Sequence, residues 1–448
     1  MTAALSDLTE ALLDAARAAG AEAADAMAVD ATSTSVTVRA GALEQAERSE
    51  GIEIGLRVLI GQRQACVSAS DISRATMDQM ALRAVAMARE APEDPWIGLA
   101  EPGQLSSRRN AEGLDLADDA PEPAPARLQK NALAAEAAAL GVAGVTQVQS
   151  ASAGFSRDRI HIAATNGFAG GYTRTSHGLS CVAISGSGTG MERDYDYDSR
   201  VFGADLRDAA AIGAEAGARA VARSGARRPR TGAFPILYDQ RVASGLIDHL
   251  LTAASGAAIA RGSSWLRDRL GQQVLPKGMS ITEDPHRVRV SGSRLFDGEG
   301  LPTEKRDIVA DGVLQGWTLD LANARKLGLA PTGNAARSTS SAPSPSNWNI
   351  ALTQGSQSRE DLVRDMGTGL LVTSLIGSTI NPNTGDYSRG ASGFWVERGE
   401  ITHAVNECTI AGNLRDMLRA MLPANDARTH LSRVVPSLLI PGMTLAGA

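Results

Sequence analysis

The chain has six histidines, and their spacing bears first on its chemistry. A helical zinc site needs two imidazoles on one face, with a carboxylate beside them to take a proton from the metal-bound water. His161, His177, His249, His286, His403 and His430 include no pair at four- or five-residue spacing. The helix predicted over residues 239–260 holds one of them, His249, and no glutamate. His249 has two readings: a hydrogen-bond donor to a substrate lying along the helix, or a satisfied, partly buried side chain. Asp297 and Glu299, in the run Phe296-Asp297-Gly298-Glu299-Gly300, could pair as acid and base. The glycines around them read as a tight turn, and structural use of the carboxylates is the expectation. Cys66, Cys181 and Cys408 lie far apart and form no CxxC, so they read as reduced thiols of a cytoplasmic protein. Cys408 is expected to be a small core residue. Gly186, Gly188 and Gly190 have the look of a phosphate loop, but no helix start follows, and a hairpin turn is expected. No G-x-S-x-G occurs, which removes the commonest serine hydrolase signature.

Several elements must hold these residues. Asp7 and Glu10 are placed for a capping box, and Leu8, Leu12, Leu13 and Ala16 then repeat at helical spacing until Gly20. Residues 24–70 change to short alternating runs, the period of half-buried antiparallel strands. Asp71 is placed to cap a helix running to Glu90. Met77 and Met80 on its apolar side suit core filling better than a cofactor groove. Residues 91–127, rich in Pro, Asp, Glu and Ala, read as a long surface connection with at most one helical turn. Helices are predicted over 128–140 and 203–222, around a β-rich stretch at 144–197. After 222 comes a basic run, Arg223 to Arg230, that interrupts both periods and reads as a solvated linker. A strand at 234–238 precedes the 239–260 helix. Beyond it strands and Gly/Asp/Asn turns dominate, with short helices near 321–327, 360–366 and 414–421.

Composition narrows the function classes. At 448 residues the chain exceeds one ordinary core, and about 100–200 residues per domain gives two or three. Aromatic content of 4% beside 46 glycines implies small-residue packing and many turns. The net charge of −6, with no Lys/Arg stripe beyond Arg223 to Arg230, argues against a nucleic-acid binder. Met1 to Glu10 has neither a basic n-region nor an apolar h-region, and no run of about 18 uncharged apolar residues occurs, so neither export nor membrane insertion is expected.

A set of short segments then points to one family. In order they are Arg193-Asp194-Tyr195, Arg261-Gly262-Ser263-Ser264-Trp265-Leu266, Asp284-Pro285, Ser293-Arg294 and the run 296–303. After these come 311–316, 324–328, Thr332-Gly333-Asn334-Ala335, 383–393, 409–414, Asn425-Asp426 and 436–440. Together they resemble the TldD/PmbA family, in particular its PmbA (TldE) branch, over nearly the whole chain. The resemblance implies an α+β protein. An N-terminal α/β region (1–222, with a subdivision near 91–127) and a linker (223–231) precede a C-terminal domain (232–448), whose central helix is wrapped by a curved antiparallel sheet.

Members of the TldD branch carry HExxxH on the corresponding helix and a cysteine close to the C-terminus, two imidazoles and a thiolate that hold zinc. Counting back without gaps from Gly262-Ser263-Ser264, the motif positions fall on Ile247, Asp248 and Thr252, and shifting the register does not restore the motif. Residues 427–448, downstream of Asn425-Asp426, contain no cysteine. The resemblance therefore implies a chain with no catalytic and no metal residue of its own, paired with a zinc-bearing TldD-type subunit. Unfolded peptides would be the substrates, as in peptide-antibiotic maturation or antitoxin turnover, with His249, Asp297 and Glu299 as candidate peptide contacts. Nucleic acid and membrane are not expected as partners, and a homodimer of the isolated chain stays open. So do two other classes, an independent peptidase using unrecognised residues and a non-enzymatic binding protein of a toxin-antitoxin or gyrase system.

Overall fold

Residues 4–447 are described by a computed structural model. Met1 to Ala3, part of the segment read for a leader, and Ala448 lie outside them. The chain begins with α1 (Leu5–Ala18), which buries Leu8, Leu12, Leu13 and Ala16. The expected capping box does not form. The helix starts at Leu5 with Ala4 at the cap, which leaves Asp7 in the first turn, where its charge opposes the helix dipole's positive end. Gly20, at φ +92°, turns the chain out.

Three long antiparallel strands follow: β1 (Ala23–Arg39), β2 (Ala42–Ile60) and β3 (Arg63–Ala69). α2 (Arg74–Glu90) is capped by Ser73 rather than Asp71, because the Asp71 carboxylate accepts from the Ser73 N–H and hydroxyl and orients that cap. Met77 and Met80 are buried in the core between α1, α2 and the sheet. α3 (Pro125–Leu140) then leads to β4 (Val145–Ala164), β5 (Ala169–Ser185) and β6 (Glu192–Arg200), followed by α4 (Ala209–Ala222). One continuous sheet of order β3-β2-β1-β4-β5-β6 carries this whole half. The glycines at 186–190 form the β5–β6 connection, as a hairpin reading requires.

Two connecting segments differ from expectation. Residues 91–124 are not a loose surface loop, although they contain the one predicted short turn, at Pro102–Gln104. They form a strap between the halves: the Ser106 N–H donates to Gly300 O at 2.9 Å and Arg325 Nη2 to Leu99 O at 2.7 Å. On the other side Gly171 N–H donates to Arg109 O at 2.8 Å. Buried Ala100, Leu114 and Leu116 anchor the strap, which backbone polarity alone did not foretell. The basic run at 223–230 is likewise not simply solvated. Arg223 is buried against Glu192, Asp194 and the Ser392 hydroxyl, and Arg227 exchanges backbone bonds with Ala404 and Asn406.

The second half contains a closed ring of β7 (Gly232–Tyr238), β8 (Gly369–Ile380), β9 (Asp386–Glu397), β10 (Glu400–Asn413) and β11 (Leu438–Ala446), shut by the β10–β11 pairing, beside a smaller five-stranded sheet and a two-stranded one. The ring is not wholly antiparallel, since β7 and β8 pair in parallel with Leu370 opposite Ile236. Alternate residues face opposite sides. Ile236, Tyr238, Leu370, Val372, Leu438 and Ile440 pack with α5 (Gln240–Ala253), while Leu237, Leu371 and Leu439 pack with α8 (Arg359–Met366) outside.

α5 is enclosed because Ala243, Leu246, Ile247 and Leu250 recur at helical spacing and are all buried. Each large side chain among them contributes roughly 1.5–3 kcal/mol by burial. The single helix expected to residue 260 is broken at Ala254–Ser255, and α6 (Gly256–Ala260) follows. There the Gly256 N–H leaves the helix to donate to Thr318 O at 2.8 Å, and a Cβ on Gly256 would meet Leu319 at 2.5 Å. The predicted short helices appear as α7 (Leu321–Leu327), α8 and α9 (Leu414–Ala420).

Candidate functional site

α5 brings the three motif positions to different environments. Ile247 is fully buried, at 0% exposure, inside the ring. Thr252 is exposed, and Asp248 lies between these extremes. Arg433, on the short strand Arg433–Val434, reaches Asp248 with Nε 3.0 Å from Oδ1 and donates Nη1 to the Trp348 carbonyl. The Arg433 guanidinium thus neutralises the helix carboxylate. No donor set for zinc assembles here: Ile247 has no ligand atom, and among the described residues no group of three or more His, Cys, Asp and Glu is placed to hold a metal. The residues present do not fit the ion.

His249 projects into the ring, half-buried, its ring edge-on to Tyr387 with centroids 5.9 Å apart. Nε2 is buried without a hydrogen-bond partner. Burial pushes its pKa below the ordinary value, and the Arg389 charge adds to the fall against a smaller opposing effect of Asp248. His249 is therefore neutral at pH 7 and lies next to the Tyr238–Tyr387 hydroxyl contact of 3.4 Å. Such an imidazole can accept a proton or a hydrogen bond only from a group that enters the ring.

Asp297 and Glu299 lie elsewhere, where the two halves of the molecule meet. Asp297 is 2% exposed and accepts from the backbone N–H groups of Glu299, Leu301 and Ala335 at 2.9–3.0 Å. Glu299 accepts from the Leu321 N–H, at the start of α7, at 2.9 Å. Burial raises the two carboxyls to about 6 and about 8, and the nearby Asp297 charge adds to the rise at Glu299. Both hold turn and helix backbone in place, and the structure does not bring them together with His249.

Next to them the Asp25 carboxylate joins Arg57 of β2 to Arg337 of the second half, all three side chains nearly fully buried. β2 approaches so closely that a Cβ on Gly55 would lie 2.1 Å from Thr339 O. The thiols take no part: burial pushes Cys408 to about 11 and Cys181 to about 12, too high to supply a thiolate.

Sequence reasoning missed two features. One is Arg433, which no local motif marks. The other is β6, where Asp194, Asp196 and Asp198 face inward while Tyr195 and Tyr197 stack outside. The strict Asp/Tyr alternation was the available signal. Asp194 pairs with Arg241 at 2.8 Å and Asp196 with Arg207 and Arg219 at 2.6 and 2.8 Å, which ties β6 to α4 and to the start of α5.

Comparison with known proteins adds the lineage. Residues 24–88, 118–224 and 231–447 match the models for domain 1, the central domain and the C-terminal domain of the PmbA/TldA metallopeptidases. The chain is 37% identical to metalloprotease PmbA of Escherichia coli O157:H7, over 93% of this chain and 90% of that one. A solved structure from Bacteroides thetaiotaomicron, 26% identical, superposes with a TM-score of 0.91 over 99% of this chain and 98% of that one. TldE of Thermococcus kodakarensis, 20% identical, has the same fold, with a TM-score of 0.84 over 98% of this chain and 99% of that one.

Proposed function

The chain belongs to the PmbA/TldD metallopeptidase family, and on that premise we propose that it is the metal-free, non-catalytic subunit of a cytoplasmic heteromeric protease whose TldD-type subunit carries the zinc. The observation that carries this reading is the α5 surface. Its three motif positions hold a core isoleucine, an aspartate already paired with Arg433, and a threonine. Zinc bound in the partner would supply the activated water. This chain would supply architecture and a second wall around the substrate.

Unfolded peptides suit such a wall because they can add a strand to a free sheet edge, where main-chain hydrogen bonds give affinity with little sequence demand. β2 offers such an edge. It pairs with β3 only over residues 54–60, while residues 42–53 pair with β1 alone and are mostly exposed. Peptide-antibiotic maturation and antitoxin turnover fit the resulting preference for small or poorly folded substrates.

The test is to purify the TldD-type subunit with and without this chain and measure cleavage of an unfolded peptide. Co-purification with a large gain in rate is expected. A partner that cleaves at the full rate alone would refute the assigned role.

A further inference from the structure

A cavity of about 400 Å³ lies outside the ring, between α4 and the outer faces of β8 and β9, close to the start of α5. Its size is within the range of small-ligand sites, roughly 300–1,000 Å³. One side is apolar, formed by Leu371, Phe394 and Ile401. The other carries the guanidinium groups of Arg219, Arg241 and Arg359 together with the carboxylates of Asp194, Glu215 and Asp239. Arg241 is held rigidly, its side chain 6% exposed, by Asp194 at 2.8 Å through Nη1 and by Asp239 at 3.3 Å through Nε. These two bonds leave Nη2 with no hydrogen bond among the described residues. Thr373, at the irregularity that interrupts the pairing of β8 with β9 between Val372 and Ser374, lines the same cavity. It is 6% exposed, and its hydroxyl has no hydrogen-bond partner. A buried hydroxyl without a partner is destabilising, a cost that a ligand accepting from it would relieve.

We propose that this cavity binds the carboxylate end of a peptide or acylated amino acid with an apolar last residue. The planar guanidinium of Arg241 suits a carboxylate, and the threonine hydroxyl gives the same group a second donor. The apolar wall takes the side chain. The three carboxylates in the lining are each already paired, Asp194 with Arg223 and Arg241, Asp239 with Arg241 and Arg359, and Glu215 with Arg219 at 2.8 Å, which offsets their repulsion of the ligand. The site is separate from α5's motif face, and the inference stands whether or not the chain serves a metal-bearing partner.

Calorimetric titration of the full chain with N-acetyl-leucine, N-acetyl-leucinamide, and a ten-residue unstructured peptide ending in leucine as acid or amide tests this. The acids are expected to bind at least tenfold more tightly than the amides. Equal affinity of the two acids assigns the site to the terminal residue alone, and tighter binding of the longer acid assigns it to a peptide terminus; either supports the proposal. Ile401→Glu, at a position 51% exposed, should weaken acid binding at least tenfold without disturbing the fold. Thr373→Val should weaken it several-fold. No binding of either acid, acid and amide binding alike, or full acid binding by both variants would overturn the proposal.

Discussion

Asp248 and Arg433 face each other across 3.0 Å, the first on the enclosed helix and the second 185 residues further along the chain. Their side chains are 48% and 30% exposed, so screening limits the pair to about 1 kcal/mol or less. Its importance is positional: a fixed cation already occupies the carboxylate that would otherwise stand beside a metal. Writing the missing motif into this helix should therefore fail. Ile247→His alone is expected to destabilise the fold by about 2–4 kcal/mol, because an imidazole without partners replaces a packed core side chain. Urea unfolding measures this, and a cost below about 0.5 kcal/mol would contradict the placement of Ile247 within the ring.

His249 should make the fold sensitive to acid. Its pKa in the folded chain is depressed by burial and by Arg389, so protons bind the unfolded chain more readily. The stability it contributes is complete above the ordinary value near 6.5 and is lost as pH falls below it. His249→Phe removes that titration and an unpartnered buried nitrogen together. The variant should match or exceed the parent at pH 5 and show a shallower loss of stability between pH 7 and 5. An unchanged slope would mean that other groups dominate this range.

Glu299 carries the opposite sign. Burial and the neighbouring Asp297 raise it to about 8, so the folded chain holds a proton that the unfolded chain has released. Its favourable effect is present below the ordinary carboxyl range near 4.5 and declines as pH rises toward 8. Glu299→Gln keeps an acceptor for the Leu321 N–H and cannot ionise. The variant should gain stability over the parent at pH 8 and lose that advantage at pH 4, as followed by thermal unfolding. A variant less stable than the parent at pH 8 would show that the carboxylate form is the one the fold requires.

Asp25 joins the halves of the molecule through Arg57 and Arg337. Removing one member of a buried charged network leaves the others uncompensated, at a cost of about 3–5 kcal/mol. Asp25→Ala should show that loss in chemical denaturation, accompanied by faster proteolysis of the strap at 91–124. A loss below about 1 kcal/mol would mean that the junction is held by apolar contacts such as Phe168 against Phe296.

Periodicity made much of this architecture legible. The helical spacing of Leu8, Leu12 and Leu13 and the alternation through residues 24–70 report local geometry, and the ring around α5 followed from the resemblance of the second half. What escaped was set by tertiary contact. The break at Ala254–Ser255 exists because Gly256 bonds to Thr318, and the strap is ordered by carbonyls that meet Ser106, Gly171 and Arg325 only in the fold. The start of α2 moved to Ser73 because Asp71 accepts from the Ser73 hydroxyl, whose oxygen in turn caps the Thr76 N–H. At the site, the absence of a second histidine was visible in the residues themselves. The Arg433 partner of Asp248 was not, because long-range ion pairs leave no local pattern.

The most direct test of the non-catalytic reading is the zinc content of the purified chain, measured together with its cleavage of an unfolded peptide, beside the same measurements on the chain co-expressed with a TldD-type subunit. Far less than one zinc per chain and no turnover alone, with zinc and turnover in the pair, are expected. One zinc per isolated chain, retained through chelator dialysis and accompanied by cleavage, would contradict the account.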